Sequence, residues 1–219
     1  MNDTAFTPAL GRSDLTDSYD KAIRLWTREH VWRTALLNQV APRDGETILD
    51  IGCGTGTLAI MIKQMAPNAR VIGLDPDPQI LEIAAAKAKQ SGADIEWQQG
   101  FARDANNFAG TADKVVSSLV FHQVPLSEKR TGLAAAMAAL KPGGELHVAD
   151  YARQESPLMR FLFRLTVQRI DGVKDTQPNA DGALESILTE LVGTTIHAIC
   201  VVPTLTGAIS IFTAKNSKP

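Results

Sequence analysis

From Thr47 onward the chain alternates short apolar runs with longer helical stretches, and this alternation constrains its fold more than any other feature. Thr47 to Ile51 reads as a strand, Thr57 to Met65 as a helix closed by Pro67, and Arg70 to Leu74 as a second strand. Gln79 to Gln90 is an alanine-rich helix ended by Ser91-Gly92, followed by strands over Ile95 to Gln98 and Lys114 to Leu119. A helix over Ser127 to Leu140 leads through the turn Lys141-Pro142-Gly143-Gly144 into a fifth strand, Glu145 to Ala149. Strands separated by helices pair in parallel through right-handed crossovers, so the expected fold class is α/β: a Rossmann-like sheet covered by helices on both faces.

Past Asp150 the rhythm shifts. An apolar, arginine-bearing helix around Pro157 to Ile170 precedes a polar stretch near Asp171 to Asp181 and a helix near Ala183 to Leu191. Two last strands, Thr195 to Val202 and Gly207 to Ala214, flank Pro203-Thr204-Leu205-Thr206, short enough for a hairpin, so the sheet is expected to end antiparallel. No repeat or linker divides residues 19–219, which read as a single domain behind a polar, flexible N-terminus, 1–18, broken by Pro8 and Gly11.

The first strand runs into Asp50-Ile51-Gly52-Cys53-Gly54-Thr55-Gly56. Open parallel sheets bind ligands beyond the carboxyl ends of their strands, and alternating glycines let backbone approach a ligand closely. Spacing alone leaves the ligand open, because Gly54-Thr55-Gly56-Thr57-Leu58-Ala59 also satisfies the dinucleotide fingerprint of a nicotinamide or flavin enzyme. Charge separates the two readings. A pyrophosphate over this turn would face the Asp50 carboxylate, and at about 5 Å with an effective dielectric near 20 each like charge costs on the order of 3 kcal/mol. S-adenosylmethionine has no phosphate and carries an ammonium and a sulfonium, so an acidic loop edge attracts it. The second strand ends at Asp75, placed to accept from both hydroxyls of a ribose, while Asp77 before Pro78 suits a helix N-cap.

These segments resemble the class I S-adenosylmethionine-dependent methyltransferases, and within them the group similar to the ubiquinone/menaquinone biosynthesis methyltransferases. The resemblance runs from Tyr19 to about Tyr151. It rests on Ile48-Leu49-Asp50-Ile51-Gly52-Cys53-Gly54-Thr55-Gly56, Val71-Ile72-Gly73-Leu74-Asp75, the stretch Asp113 to His122, and Leu140-Lys141-Pro142-Gly143-Gly144, in that order. It implies a seven-stranded sheet ending in an antiparallel hairpin. It also implies S-adenosyl-L-methionine contacts at Asp50, Gly52, Cys53 and Gly54 for the amino-acid end, at Asp75 and Pro76 for the ribose, and at Ser117 and Ser118 after the fourth strand. In such proteins an acid after the third strand accepts from the adenine amino group. Phe101 stands there instead, so adenine is expected to pack on Phe101 with the Ala102 N–H at its edge, or to be reached by Asp104.

The sulfonium makes its methyl electrophilic, so the protein's task is to align a nucleophile and exclude water. The acceptor is expected after strand four, where His122 has a pKa suited to a general base, against the plainer reading of a histidine that only shapes the pocket. Two flanking regions are expected to form a lid: helices over 19–40, with Tyr19 near the methionine moiety, and a substrate-side insert over 153–182. Arg160, Arg164 and Arg169 among Phe161, Leu162, Phe163 and Leu165 fit an apolar acceptor, a peripheral membrane contact, or a helix covering the sheet.

Twenty-two basic against 24 acidic residues give a net charge near −2, which argues against nucleic acid as partner. The acceptor is therefore expected to be a small molecule, aromatic or lipophilic. Ser117-Ser118-Leu119-Val120 lacks the Asn/Asp-Pro-Pro-aromatic turn of enzymes that methylate amide-like nitrogens. His30, His122, His147 and His197 are scattered, so no metal is expected, and no apolar run reaches the length of a transmembrane span. Two cysteines, one inside the glycine loop, fit a reducing, cytoplasmic setting. Besides the enzyme, a module that binds S-adenosylmethionine without turnover and, more remotely, an NAD-dependent oxidoreductase are carried as alternatives.

Overall fold

The computed structural model describes residues 26–217; Tyr19, and with it the expected lid before Trp26, lies outside the described residues. Seven strands form one sheet: β1 (Thr47–Ile51), β2 (Arg70–Asp75), β3 (Glu96–Gln99), β4 (Ala112–Ser118), β5 (Leu140–Tyr151), β6 (Cys200–Thr204) and β7 (Gly207–Lys215). Their order is β3-β2-β1-β4-β5-β7-β6. The first five run parallel, and β7 lies antiparallel between β5 and β6. Because the chain winds outward in one direction from β1 to β3 and in the other from β4, a crevice opens beyond the carboxyl ends of β1 and β4.

Side-chain alternation along each strand feeds two cores, one on each face. Leu49, Ile51, Ile72, Leu74 and Val115 join Leu133 and Ala136 of α4 (Leu126–Ala139) and Leu184 and Leu188 of α8 (Ala183–Val192). Ile48, Val71 and Val116 join Trp32 and Leu36 of α1 (Glu29–Val40) and Leu58 and Ile62 of α2 (Thr57–Met65). Between β2 and β3, α3 (Pro78–Gln90) begins at Asp77, whose carboxylate accepts from the N–H of Gln79 at 2.9 Å, the N-cap role expected of it.

Local pattern and structure differ in four places. Leu140–Tyr151 is one long strand; the Lys141-Pro142-Gly143-Gly144 turn is an excursion within it, pinned where Gly143 N–H donates to Asn216 O and Asn216 N–H to Gly144 O, both at 2.8 Å. The arginine-bearing helix divides into α5 (Pro157–Leu165) and α6 (Val167–Ile170) at Thr166, whose hydroxyl bonds back to Leu162 O at 2.7 Å. The polar stretch after Asp171 contains a helix, α7 (Val173–Ala180). Its buried face is polar: Thr176 bonds to Gly172 O and Asn179 to Tyr151 O, so no apolar periodicity announces it. Finally, β6 begins only at Cys200, five residues later than expected.

Trp97 of β3 explains two glycines. A Cβ on Gly73 would come within 2.5 Å of its indole, and one on Gly56 within 2.6 Å. Gly73→Ala is therefore expected to destabilise the chain by about 1–3 kcal/mol in a urea melt, with part of the loss recovered in the Gly73→Ala, Trp97→Leu double variant. An unchanged Gly73→Ala midpoint would contradict the packing described.

Candidate functional site

The glycine loop turns sharply off the end of β1. Gly52, Gly54 and Gly56 all hold positive φ, at 65°, 52° and 74°. Gly52 and Cys53 donate their N–H to Leu74 O at 2.7 and 3.1 Å, drawing the loop against β2. Val120 fills the space beside Gly52, where a Cβ would meet its methyl at 2.2 Å, whereas the space beside Gly54 is open. The loop backbone thus presents an uncovered edge at Gly54. Cys53 is buried there, its thiol pushed up by burial and by the neighbouring Asp50 and Asp75 carboxylates.

Two carboxylates flank that edge and differ in their partners. Asp75 is built in: one oxygen accepts from Gly54 N–H at 2.9 Å and the other from Asp77 N–H at 3.1 Å. Burial raises its pKa while those two amides oppose the rise. Asp50 is fully buried, and among the described residues neither of its oxygens has a partner at hydrogen-bond geometry. Burial, opposed by Arg33 and weakly by the Ala59 N–H and reinforced by Asp75, pushes it up to about 7. A buried carboxylate left without donors is costly unless a ligand supplies the charge. An ammonium would supply it and a pyrophosphate would be repelled, so the residues present fit the amino-acid end of S-adenosylmethionine and not a dinucleotide.

The other expected contacts sit around this pair. Pro76 O accepts from Gln99 at 3.2 Å. Asp104 does not reach outward: it accepts from Phe101 N–H at 2.8 Å, capping the short 3-10 helix Ala102–Phe108, so Phe101 and Ala102 are the groups left at that edge. The Arg103 guanidinium lies over the Phe101 ring at 4.3 Å. Ser117 is buried and donates to Ile51 O at 3.0 Å, tying the ends of β4 and β1, and Ser118 is half-buried beside it.

Beyond β4 the backbone reverses at Leu119, which holds φ 57°, into the 3-10 turn Phe121–Gln123. One buried carboxylate organises this turn. Asp150 Oδ2 accepts from the N–H groups of Val120, Phe121 and His122 at 3.1, 2.6 and 3.3 Å, and Oδ1 accepts from Tyr151 N–H and meets His122 Nδ1, both at 2.7 Å. The turn's carbonyls go to Lys129, a fully buried lysine of α4 whose ammonium donates to Phe121 O, to His122 O at 3.2 Å and to Asp175 O of α7 at 2.8 Å. Burial pushes Lys129 down to about 8 against the pull of Asp150 and Asp175.

His122 lies between two acids. Its Nε2 is 3.4 Å from Asp171, on the link between α6 and α7. Burial pushes the ring down, but Asp150 and Asp171 overcome that and hold it up at about 9. The ring is thus an imidazolium at neutral pH, a donor on both sides. Lys129 and Asp171 are the residues that local pattern does not single out. Lys129 carried a signal, since it occupies a buried helix face with Gly132, Leu133 and Ala136. Asp171 carried none.

Residues 48–144 match the family described as "Methyltransferase domain". The chain carries a methyltransferase domain and is similar to the class I S-adenosylmethionine-dependent methyltransferases of the quinone group. Among its relatives are the demethylmenaquinone methyltransferase of Thermus thermophilus, 29% identical over 160 residues and matched over 72% of each chain, and the 2-phytyl-1,4-naphtoquinone methyltransferase of Synechococcus elongatus, 31% identical over 64% of this chain and 60% of that one. Three further relatives of this group are spanned over only 53 to 64% of their length. The fold resembles that of magnesium protoporphyrin IX methyltransferase from Synechocystis with bound SAH, at a TM-score of 0.66, 20% identity and 92% and 89% of the two chains.

In this methyltransferase the charged state of His122 is directly measurable. The imidazole is expected to titrate near pH 9 by NMR, well above the ordinary value of about 6.5. Its contribution to stability is then present in full below pH 6.5 and lost as the pH rises through 9. Asp171→Asn should lower that titration by about one unit or more. A His122 that titrates near 6.5 in the unaltered protein would contradict the geometry.

Proposed function

We propose that this methyltransferase acts on a small lipophilic acceptor with an aromatic hydroxyl, of the quinol type. The observation that carries the donor half is Asp50, a buried carboxylate without partners beside an open glycine edge. In this reading Asp50 takes the ammonium of S-adenosylmethionine, Asp75 with Pro76 the ribose hydroxyls, and Gly52, Cys53 and Gly54 line the amino-acid end with their backbone. Phe101 and Ala102 receive the adenine, and Ser117 and Ser118 floor the site. The bound cofactor supplies an electrophilic methyl.

The acceptor half rests on the names of the relatives, which act on menaquinone and naphthoquinone precursors, and on His122. Asp171 now lies 3.4 Å from Nε2, the ring nitrogen of His122 that Asp150 does not hold. An acceptor oxygen that replaces Asp171 there, its proton given up to water, would meet an N–H of a cation and be held as its anion, which would load the ring with electrons for attack on the methyl. His122 thus serves as the electrostatic partner of the acceptor oxygen, a different duty from a base that takes up its proton. Low net charge disfavours nucleic acid as an alternative acceptor. Among the described residues no helix is long and apolar enough to cross a membrane. A reducing cytoplasmic compartment, where Cys53 and Cys200 stay free thiols, completes the reading.

The reading is tested by calorimetry and labelled methyl transfer. S-adenosylhomocysteine should bind and NADH should not, and a reduced demethyl-naphthoquinol should accept label. His122→Ala should lower kcat about 10²-fold or more while leaving S-adenosylhomocysteine affinity within about threefold. Tight NADH binding without S-adenosylhomocysteine binding would sink the reading. S-adenosylhomocysteine binding with no transfer to any quinol would favour a module without turnover.

A further inference from the structure

The insert carries more apolar surface than the core takes up. At 100° per residue, α5 has an apolar arc running from Phe161 through Leu165, Leu158, Leu162 and Met159 to Phe163, with Arg160 and Arg164 filling the remainder. Phe163 is buried, so one end of the arc meets the body. The other end is free: Phe161 is 57%, Leu165 43% and Leu158 61% exposed. A helix that only covered the sheet would leave its polar side to water, whereas this one leaves a stripe of large apolar groups there.

The stripe's position follows from the pairing of the last strands. Tyr151 of β5 pairs with Ile209 near the start of β7, which puts the β6–β7 turn at the carboxyl end of β5. Thr166, next after Leu165, donates its hydroxyl to Thr206 O in that turn at 3.4 Å, and Leu205 N–H donates to Trp26 O at 3.0 Å. Leu205 is 61% and Trp26 50% exposed. The apolar groups therefore gather on the rim that holds Asp50, Asp75 and His122.

Charge says what meets them. Residues 153–174 carry five basic and two acidic side chains in a chain whose net charge is −2. Arg160 staples α5 to the body through Asp181, at 3.0 Å, and the carbonyl of Ala180. Arg164 and Arg169 make no ion pair among the described residues. Exposed apolar groups edged by unpaired arginines match an interface that is hydrocarbon inside and anionic at its surface.

We propose that the Leu158, Phe161 and Leu165 stripe, with Leu205 and Trp26, docks the protein on an anionic lipid bilayer, Arg164 and Arg169 meeting the headgroups. The inference rests on the proposed reaction, because docking here brings the acceptor crevice to the phase in which a lipophilic acceptor dissolves.

Flotation of the full chain with vesicles tests it, using phosphatidylcholine with and without about one third phosphatidylglycerol at physiological salt. The chain should float with the anionic vesicles and not with the neutral ones. Phe161→Ser with Leu165→Ser should lower the partition about tenfold or more, and Arg164→Gln with Arg169→Gln should lower it roughly fivefold per charge. All four positions are exposed, and S-adenosylhomocysteine affinity, measured on each preparation, reports that the fold is intact. No flotation, equal flotation with neutral vesicles, or an unchanged Phe161→Ser, Leu165→Ser chain would overturn the proposal. So would self-association that the same double variant abolishes, since the stripe would then belong to a second copy. Failed docking with intact S-adenosylhomocysteine binding sinks only the docking; absent S-adenosylhomocysteine binding sinks the methyl-transfer reading itself.

Discussion

Asp150 is a charge taken fully out of water at the end of β5, and the acceptor side of the molecule is arranged around its needs. A buried carboxylate is tolerated when donors surround it, and charge-assisted bonds contribute about 1.5–3 kcal/mol each. Asp150 collects four backbone N–H groups and an imidazole. Collecting them forces the reversal at Leu119, aims His122 at Asp171, and turns two carbonyls toward Lys129. Through Lys129 and Asp171 the same carboxylate ties β4, β5, α4 and the α6–α7 link into one polar network. Removal of a member leaves a buried charge or carbonyl without its partner, so the network is expected to respond as a unit.

Asp50 is equally buried, on the neighbouring side of the crevice, and has none of this support. In the proposed reading this contrast separates the two halves of the site. On the acceptor side the charges are already balanced by the protein. On the donor side one charge is left for a ligand to balance, and burial has raised its proton affinity meanwhile. Val120 couples the halves physically: its backbone hangs from Asp150 and its side chain packs at Gly52, so the acceptor turn also holds the glycine loop in place.

Local chemistry explains what could be read along the chain. Apolar runs, Gly-rich turns and the Asp77-Pro78 cap act over a few residues, and β1, β2, β4, α2, α3 and the closing hairpin were legible from them. Asp50 and Asp75 were legible as candidates because a strand end is a fixed address relative to the loop. The polar network was not, because its deciding contacts join residues 28 to 49 positions apart: His122 with Asp150, Lys129 with Asp175, and His122 with Asp171. Helix α7 escaped for a related reason, its buried positions Thr176 and Asn179 being satisfied by hydrogen bonds instead of apolar contact. His122 was legible as a candidate from its place after β4, yet its protonation depends on Asp171, whose approach no spacing encodes.

The central claim is that the ammonium of the methyl donor supplies the partner Asp50 lacks. Burial raises Asp50 to about 7, so near neutrality it holds a proton part of the time, and an ammonium at the site expels it. Calorimetry of S-adenosylhomocysteine binding at pH 7, in buffers of different ionisation enthalpy, counts that proton. Net proton release on binding, abolished by Asp50→Asn together with a large loss of affinity, is the result predicted. Binding heat independent of buffer, or an Asp50→Asn chain that binds and releases as before, would contradict it.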